Sequence, residues 1–490
     1  MGKYIFSRII KAIISIFAVT SIVIGMIFTL IPRTKIFELD EGYRKLKGDN
    51  RTIYTYSKYD ELGYLDFLRL QDMCNEKSDD VNACLINNSE ENLRMIQEYE
   101  NDGYTVEYLR SKTAFVYRDY TVMELVANFW ANLIQIDTPN KIQDSNNPNL
   151  ERRIYFGKDS NGVPAVKCSG CEHEYLLYFG DGFPFIHQNW ISLNFGNSYP
   201  TNKGIPTLKV ISQGQGEQVK KEQTFPTGVT MESAINQHTC TYKENIDHLD
   251  ENKFTTHYAN CDSYYSSPSM IGTSFKFGII SLVIAYVLAI PFGILMSRNK
   301  DKFLDKLGIA FINIVIAMPS LALIFFIREI GVKFGLPDKF PMLGFDDVRS
   351  YIAPIIVLSL ISMPSLMMWI RRYMIDQSTS DYVKFARAKG LSQREIFNKH
   401  ILKNAIIPII NGIPVSIVAC ISGAFITESA FAIPGMGKML PLAIQRLNNN
   451  MVVTLVFLFS ALAIFSVLVG DLLMTVVDPR IQLAAKKGKK

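Results

Sequence analysis

The chain has 490 residues, 48% of them hydrophobic, and a formal net charge of +5. That composition suits neither an ordinary soluble enzyme nor a bundle made only of membrane helices, and the length predicts more than one domain. The charge is divided: residues 32–270 hold 24 Lys and Arg against 34 Asp and Glu, net −10, whereas the rest of the chain is net +15. The positive residues cluster at the ends of apolar runs, which points to membrane orientation and away from nucleic acid.

The first apolar run, 12–31, follows Lys3, Arg8 and Lys11. It is too long for a signal-peptide core and has no small-x-small site before Pro32, so it is expected to stay as a membrane helix. Residues 32–270 follow as an acidic, polar block. It carries large apolar side chains throughout, including Phe129, Trp130, Tyr155, Tyr178, Phe179, Phe183, Phe185 and Trp190, enough to bury a core of its own. Residues 85–104 and 122–136 have helical spacing, while 175–179 and 207–212 look like strands between Gly-, Pro- and Asn-rich turns. The expectation is a mixed α/β domain.

Six of the seven cysteines lie in this block: Cys74, Cys84, Cys168, Cys171, Cys240 and Cys261. An even set in an oxidising compartment reads as disulfides, and nearness in sequence favours Cys74–Cys84, Cys168–Cys171 and Cys240–Cys261. Cys168-Ser-Gly-Cys171 with His173 nearby also admits a redox or zinc site. No second cysteine pair stands at metal-ligand spacing, so no metal is expected.

Five further apolar runs reach spanning length, roughly 277–297, 309–327, 351–370, 407–427 and 451–477. They contain Pro291, Pro319, Pro354, Pro364 and Pro414, which suits kinked walls around a pathway. Arg298, Lys300, Lys302 and Lys306 follow the second run of the chain, Arg371 and Arg372 the fourth, and Arg480, Lys486, Lys487, Lys489 and Lys490 the last. By the excess of positive charge, the N-terminus, those two loops and the C-terminus are cytoplasmic, and 32–270 lies outside. The expected division is therefore 1–31, N-terminus and first helix; 32–270, extracellular domain; 271–478, the remaining five helices; and 479–490, a basic cytoplasmic tail.

The loop 371–408 is too long for a mere connection. Ser380 or Asp381 can cap a short helix carrying Tyr382, Phe385, Ala386 and Lys389 on one face. Gly390 supplies the left-handed residue that ends it, with Leu391 as the hydrophobic contact that often follows. Ser392-Gln-Arg-Glu395 is a capping box that starts a second helix, and the chain returns to the membrane at Pro408. Two short helices meeting at a glycine corner suit force transmission to a soluble partner, and small residues at Ala386, Ala388 and Gly390 allow close approach. A helical loop with a solvated basic face is the rival reading of the same residues.

Asp381-Tyr-Val-Lys-Phe-Ala-Arg-Ala-Lys-Gly390-Leu-Ser, continuing through Asn404-Ala-Ile-Ile-Pro408, resembles the coupling loop of ABC importer permeases, in the variant of the dipeptide and oligopeptide (Opp/Dpp) type. Lys384 occupies the offset where the wider superfamily has its acidic residue, and Asp381 lies further back. Glu428-Ser-Ala-Phe-Ala-Ile-Pro-Gly-Met-Gly437 resembles the family's outer turn after the fifth helix, and Asp478-Pro-Arg480 its C-terminal signature. The stretch from Trp190 through Phe195-Gly-Asn-Ser198 to Ile211 is similar to a family segment between the first two helices. The external block resembles that of the large C-type permease of the Gram-positive Ami oligopeptide system.

The resemblance implies an α-helical integral membrane protein of six transmembrane helices, with the ABC importer permease fold and a large extracellular α/β domain between helices 1 and 2. It implies a second homologous permease, two cytoplasmic ATPases that carry the ATP and Mg, and an extracellular peptide-binding lipoprotein. This chain is then a non-catalytic subunit with no cofactor of its own. Asp381, Phe385, Ala386, Ala388, Gly390, Glu395 and Pro408 become candidates for ATPase coupling. The nearest approach to a phosphate-binding Gly-x4-Gly-Lys-Ser/Thr loop is Gly435-Met-Gly437-Lys438, where Met439 follows the lysine and Ala432 replaces the first glycine. Instead Glu428, Pro434, Gly435, Met436 and Gly437 are candidates for the outer gate of the pathway, since irregular backbone at the membrane edge belongs in protein or beside water. A nickel, opine or glycoside cargo, or a membrane-anchored receptor, are the alternatives.

Overall fold

The computed structural model describes residues 2–136, 150–159, 161–180, 185–187 and 191–477. Phe183, Trp190, the Asp478-Pro-Arg480 signature and the basic tail lie outside the described residues. The chain divides into two compact units: 1–125 with 197–212 and 270–490, and 126–196 with 213–269.

The first unit contains the apolar helices α1 (Gly2–Leu30), α2 (Met270–Arg298), α3 (Phe303–Ala317), α4 (Ser320–Lys333), α5 (Arg349–Ser378), the short α6 (Asp381–Ala388), α7 (Ile407–Gly423), α8 (Phe425–Ala430) and α9 (Asn449–Val477). Among the described residues five helices are long and apolar enough to cross a membrane, and a sixth span is counted if the bent pair α3–α4 is one. The run expected at 309–327 is that pair, bent by 105°. The cause is local. Met318 stands before Pro319, and proline forces its predecessor out of the helical region; Met318 accordingly has ψ 127°. Pro291, Pro354, Pro364 and Pro414 sit inside α2, α5 and α7 without ending them, although each removes an N–H from the ladder and crowds the carbonyl four residues back.

The same unit takes in 32–125 and 197–212, with β1 (Leu65–Arg69), β2 (Thr105–Tyr108) and β3 (Ala114–Asp119) in the antiparallel order β1-β3-β2. The helix Glu90–Asn101, capped by Ser89, packs Met95 and Tyr99 with Met73 and Val116. An aromatic cluster of Phe37, Tyr59, Tyr64, Phe67, Phe115 and Tyr199 forms a second core. Residues 207–212, expected as a strand, are a helix. Its Thr207, Val210 and Ile211 are buried at helical spacing, and that packing overrides the strand preference of its branched side chains.

At the edge of this aromatic core the Asp40 carboxylate is wholly buried. It accepts from the Tyr199 hydroxyl at 2.6 Å, the Tyr54 hydroxyl at 2.7 Å and the Tyr43 amide at 3.1 Å, and pairs with Lys203. Burial alone would raise its pKa, but the Lys203, Tyr199 and Tyr54 bonds outweigh burial and hold the carboxyl well below its usual range. A depressed carboxylate stabilises the fold above its unfolded pKa, and that contribution disappears as pH falls through the folded value. Asp40→Asn should therefore cost about 2–3 kcal/mol at neutral pH and less in acid. Thermal unfolding of purified protein across the acid range measures this; an equal loss at every pH would show that charge is not what holds the site.

The second unit is β-rich. β4 (Ile134–Ile136) pairs with β9 (Ile191–Leu193), and β5 (Arg153–Lys158), β6 (Pro164–Ser169), β7 (Tyr175–Tyr178) and β8 (Phe185–Ile186) form an antiparallel sheet in that order. Helix 122–136 was expected whole; it stops at Leu133, and Ile134–Ile136 turns to the β9 ladder instead. Cys168–Cys171 and Cys240–Cys261 are bonded in this unit and Cys74–Cys84 in the first, with Cys420 left as a thiol. Tyr258 donates toward the carbonyls of Cys168 and Cys171, at 3.1 and 2.9 Å, seating that short loop. No group of His, Cys, Asp and Glu among the described residues could hold a metal ion.

Candidate functional site

The corner at 380–408 is built from backbone rules. Ser380 takes the extended N-cap conformation of α6, though its hydroxyl bonds back to the Asp376 carbonyl at 3.3 Å. Asp381 instead pairs with Lys384 at 2.9 Å on the exposed face, and that bond holds its carboxyl below the usual range. Val383 and Ala386 point inward and pack with Met374, Ile396, Ile401, Ala405 and Ile409, so α6 is fastened to the base of the helix bundle. Phe385 points the other way and is 70% exposed, with Ala388 and Gly390 also on the open side.

Gly390 has φ +78°. Its N–H bonds the Arg387 carbonyl at 3.0 Å, and the Leu391 N–H reaches back to the Ala386 carbonyl at 3.2 Å. These two bonds close the left-handed helix stop, which is strained for any residue with a Cβ. The capping box forms as its spacing requires: Ser392 Oγ accepts from the Glu395 N–H at 3.3 Å, and Glu395 Oε2 accepts from the Ser392 N–H at 3.3 Å. The Ser392 bonds hold the Glu395 carboxyl low. The helix that follows widens into a π-helix over Ile396–Leu402, a rare form that often marks functional sites. Pro408 is the second residue of α7, where a missing N–H costs nothing.

Two contacts that sequence reasoning missed tie this corner to the bundle. Asp305 at the start of α3 is fully buried and receives both prongs of the Arg371 guanidinium, Nε at 2.6 Å and a terminal nitrogen at 2.7 Å, as well as the Asp301 N–H at 2.8 Å. The Arg298 guanidinium lies 4.2 Å from the Phe397 ring centre, linking the end of α2 to the π-helix. In the sequence Arg371 and Arg298 read only as orientation charges. The one signal for the pair was a lone acid, Asp305, at the head of an apolar run.

The structure also gathers the residues of the candidate gate, but in a different manner from that expected. Glu428 is buried and turned onto its own chain: Ser274 Oγ donates to it at 2.5 Å and the Lys438 N–H at 3.1 Å, while Ser274 accepts the Met436 N–H at 2.7 Å. A Cβ at Gly435 would stand 2.2 Å from the Glu428 carboxyl, and one at Gly437 2.9 Å from the Phe425 nitrogen. Neither glycine has positive φ, which in this turn falls on Ala432 at +57°. These glycines are needed for close approach. Pro434 is half-buried, and Met436 is wholly buried.

Beyond this turn Asn448 precedes α9, Asn449 and Asn450 open it, and the three bind the 197–212 and 32–125 segments. Asn448 Nδ2 donates to Ser198 and Thr201 hydroxyls at 2.7 and 2.8 Å, Asn449 to Tyr64 at 2.6 Å and Asn450 to the Asn197 carbonyl at 3.0 Å. The head of α9 therefore lies on the same side of the helices as this part of the 32–270 stretch.

The long apolar helices, with the helix corner at 380–408 and the asparagine clamp at 448–450, mark a multi-pass membrane protein. The pattern of the binding-protein-dependent transport system inner membrane component matches residues 289–483. Over its whole length the chain is 42% identical to the oligopeptide transport system permease protein AmiC of Streptococcus pneumoniae, covering all of that protein. The dipeptide transport system permease protein DppB of Lactococcus lactis is 29% identical over 47% of this chain and 77% of its own. A chain of the MetNI methionine ABC transporter in inward-facing form overlaps at TM-score 0.34 and 16% identity, over 42% of this chain and 94% of that one. The chain belongs to the family of oligopeptide and dipeptide permease subunits of ABC transporters.

Proposed function

We propose that this chain is one of two permease subunits of an ATP-driven importer of oligopeptides. The observation that carries the reading is the corner at Gly390. A short helix is fastened to the membrane bundle by Val383 and Ala386 and presents Phe385 outward, a large apolar side chain open to a partner. Two cytoplasmic ATPases, which hold the ATP and Mg, are the partners that would bind this corner and its counterpart on the second permease. Closing of the ATPase pair then draws the two corners together and rocks the helices from inward- to outward-open.

The N-terminus and corner would be cytoplasmic and residues 32–270 extracellular, where a peptide-binding lipoprotein delivers cargo. The three disulfides support that side, since such bonds persist in oxidising compartments. Alkylation of intact cells followed by non-reducing peptide mapping should find six paired cysteines; six alkylated ones would place the stretch inside.

The names of the related permeases support peptide as cargo. Deleting this chain from its host should abolish ATP-dependent uptake of radiolabelled short peptides, and restoring it should return uptake. Intact peptide uptake with loss of nickel, opine or glycoside uptake would move the cargo elsewhere.

A further inference from the structure

Among the cavities between the described membrane helices, two have linings that differ in kind. One, of about 550 Å3 between α2, α3 and α5, is walled by Leu, Ile, Phe, Met, Ala and Gly residues. The other, of about 280 Å3 between α2, α5 and α7, is walled mainly by apolar side chains such as Leu282, Leu358, Ile361 and Leu366, but Ser281, Ser362, Ser365 and Ser416 are set among them with Cys420, and no charged residue borders it. The first offers nothing to a hydrated solute. The second offers hydroxyls in the middle of apolar helices, where polar groups mark a water-filled path or a protein contact.

The hydroxyls are set as acceptors. Ser281 donates to the Gly278 carbonyl at 2.9 Å, Ser362 to Leu358 at 3.0 Å and Ser416 to Gly412 at 3.0 Å. Each hydroxyl has one proton and two lone pairs, so a proton given to its own helix leaves the oxygen able to accept. Ser416 also meets the Tyr286 hydroxyl at 3.4 Å and Ser281 is buried, so Ser362 and Ser365 are the more accessible of the four. Ser365 lies exposed in the same lining. At the floor α2 and α7 come so close that a Cβ on Gly278 would be 2.8 Å from the Cys420 Cβ. The cleft is thus narrow, uncharged and able to accept N–H groups. The backbone of an extended peptide presents N–H groups at regular spacing whatever its side chains, whereas a charged lining would hold or reject peptides by their charge.

We propose that this serine-lined cleft is a stretch of the conduction path that engages the peptide main chain and is indifferent to side-chain charge. The proposal rests on the reading of the chain as a peptide importer. Cys420 is a built-in probe, because the other six cysteines are bonded. Small hydrophilic methanethiosulfonates react with thiols in water, since the thiolate is the nucleophile.

The assembled transporter, reconstituted in vesicles with reagent on both sides, should be labelled at Cys420, and transported peptide should slow that labelling. In the same system Ser365→Asp should lower uptake of acidic peptides about tenfold relative to neutral ones, and Ser365→Lys should do the same to basic peptides, since like charges at close quarters repel strongly. A Cys420 that reacts with lipid-soluble maleimide but never with the hydrophilic reagent would put the cleft against lipid or the second permease and overturn the proposal. So would charge variants that are active but indifferent to peptide charge. If the unaltered transporter imports no peptide at all, the functional reading itself fails, whatever Cys420 does.

Discussion

Gly390→Val is expected to lower both peptide uptake and peptide-stimulated ATP hydrolysis while the permease pair still assembles. Gly390 has φ +78°, and a Cβ built there meets nothing within 4 Å. Any loss must therefore come from the backbone and not from a clash. A left-handed residue with a side chain costs about 1–2 kcal/mol, more when it is β-branched. Relief of that strain would break the bonds from Gly390 to Arg387 and from Leu391 to Ala386 and swing α6 away from its partner. A shift of about 1.4 kcal/mol is a factor of ten, so peptide uptake should fall by about tenfold or more, and peptide-stimulated ATPase with it. Gly390→Asn is the control, because asparagine tolerates the left-handed region, and it should retain most uptake. Equal uptake by the valine variant at equal expression would remove the corner from the transport cycle.

The second large effect is expected at the Asp305–Arg371 pair. A bidentate pair with one partner fully buried is costly to break, about 3–5 kcal/mol, because the remaining charge has no partner. Asp305→Ala and Arg371→Ala should each lower the thermal stability of the purified subunit and sharply reduce uptake. Replacing both, as Asp305→Leu with Arg371→Met, should recover much of that stability, since a packed apolar pair of similar volume is often no worse than the ion pair. The sum of the two single losses should clearly exceed the loss in the double variant. Uptake distinguishes two roles. If the pair also holds α5 in register with the corner, the apolar pair restores stability but not the amount of peptide moved per ATP. Additive losses in stability would show that the two residues do not act on each other.

Much of this protein could be read from its amino-acid order because its strongest signals are local. Apolar runs of spanning length need only hydrophobicity; Ser392 and Glu395 find each other at a fixed helical spacing; Gly390 ends a helix wherever one precedes it. The division of charge at 32 and 270 marks a polar stretch between membrane helices without reference to any contact. The break at Met318-Pro319 was also local, since proline restricts its predecessor, yet an apolar count passes over it as one run.

Other features depend on partners far apart in the chain, and only the tertiary structure decided them. Asp305 meets Arg371 across 66 residues, and Asn448 meets Ser198 across 250. Nothing near Glu428 says that Ser274 will turn its carboxylate inward, or that Gly435 must be small to let it in. Residues 207–212 read as a strand by their branched side chains and became a helix because their buried positions fall at helical spacing. The stretch 32–270 was legible as one polar block, but its distribution between two compact units follows from packing, which composition does not record. Hydrophobicity, capping and chain stiffness act over a few residues and are written in order along the chain. Burial, ion pairing and close approach act between residues that only folding brings together.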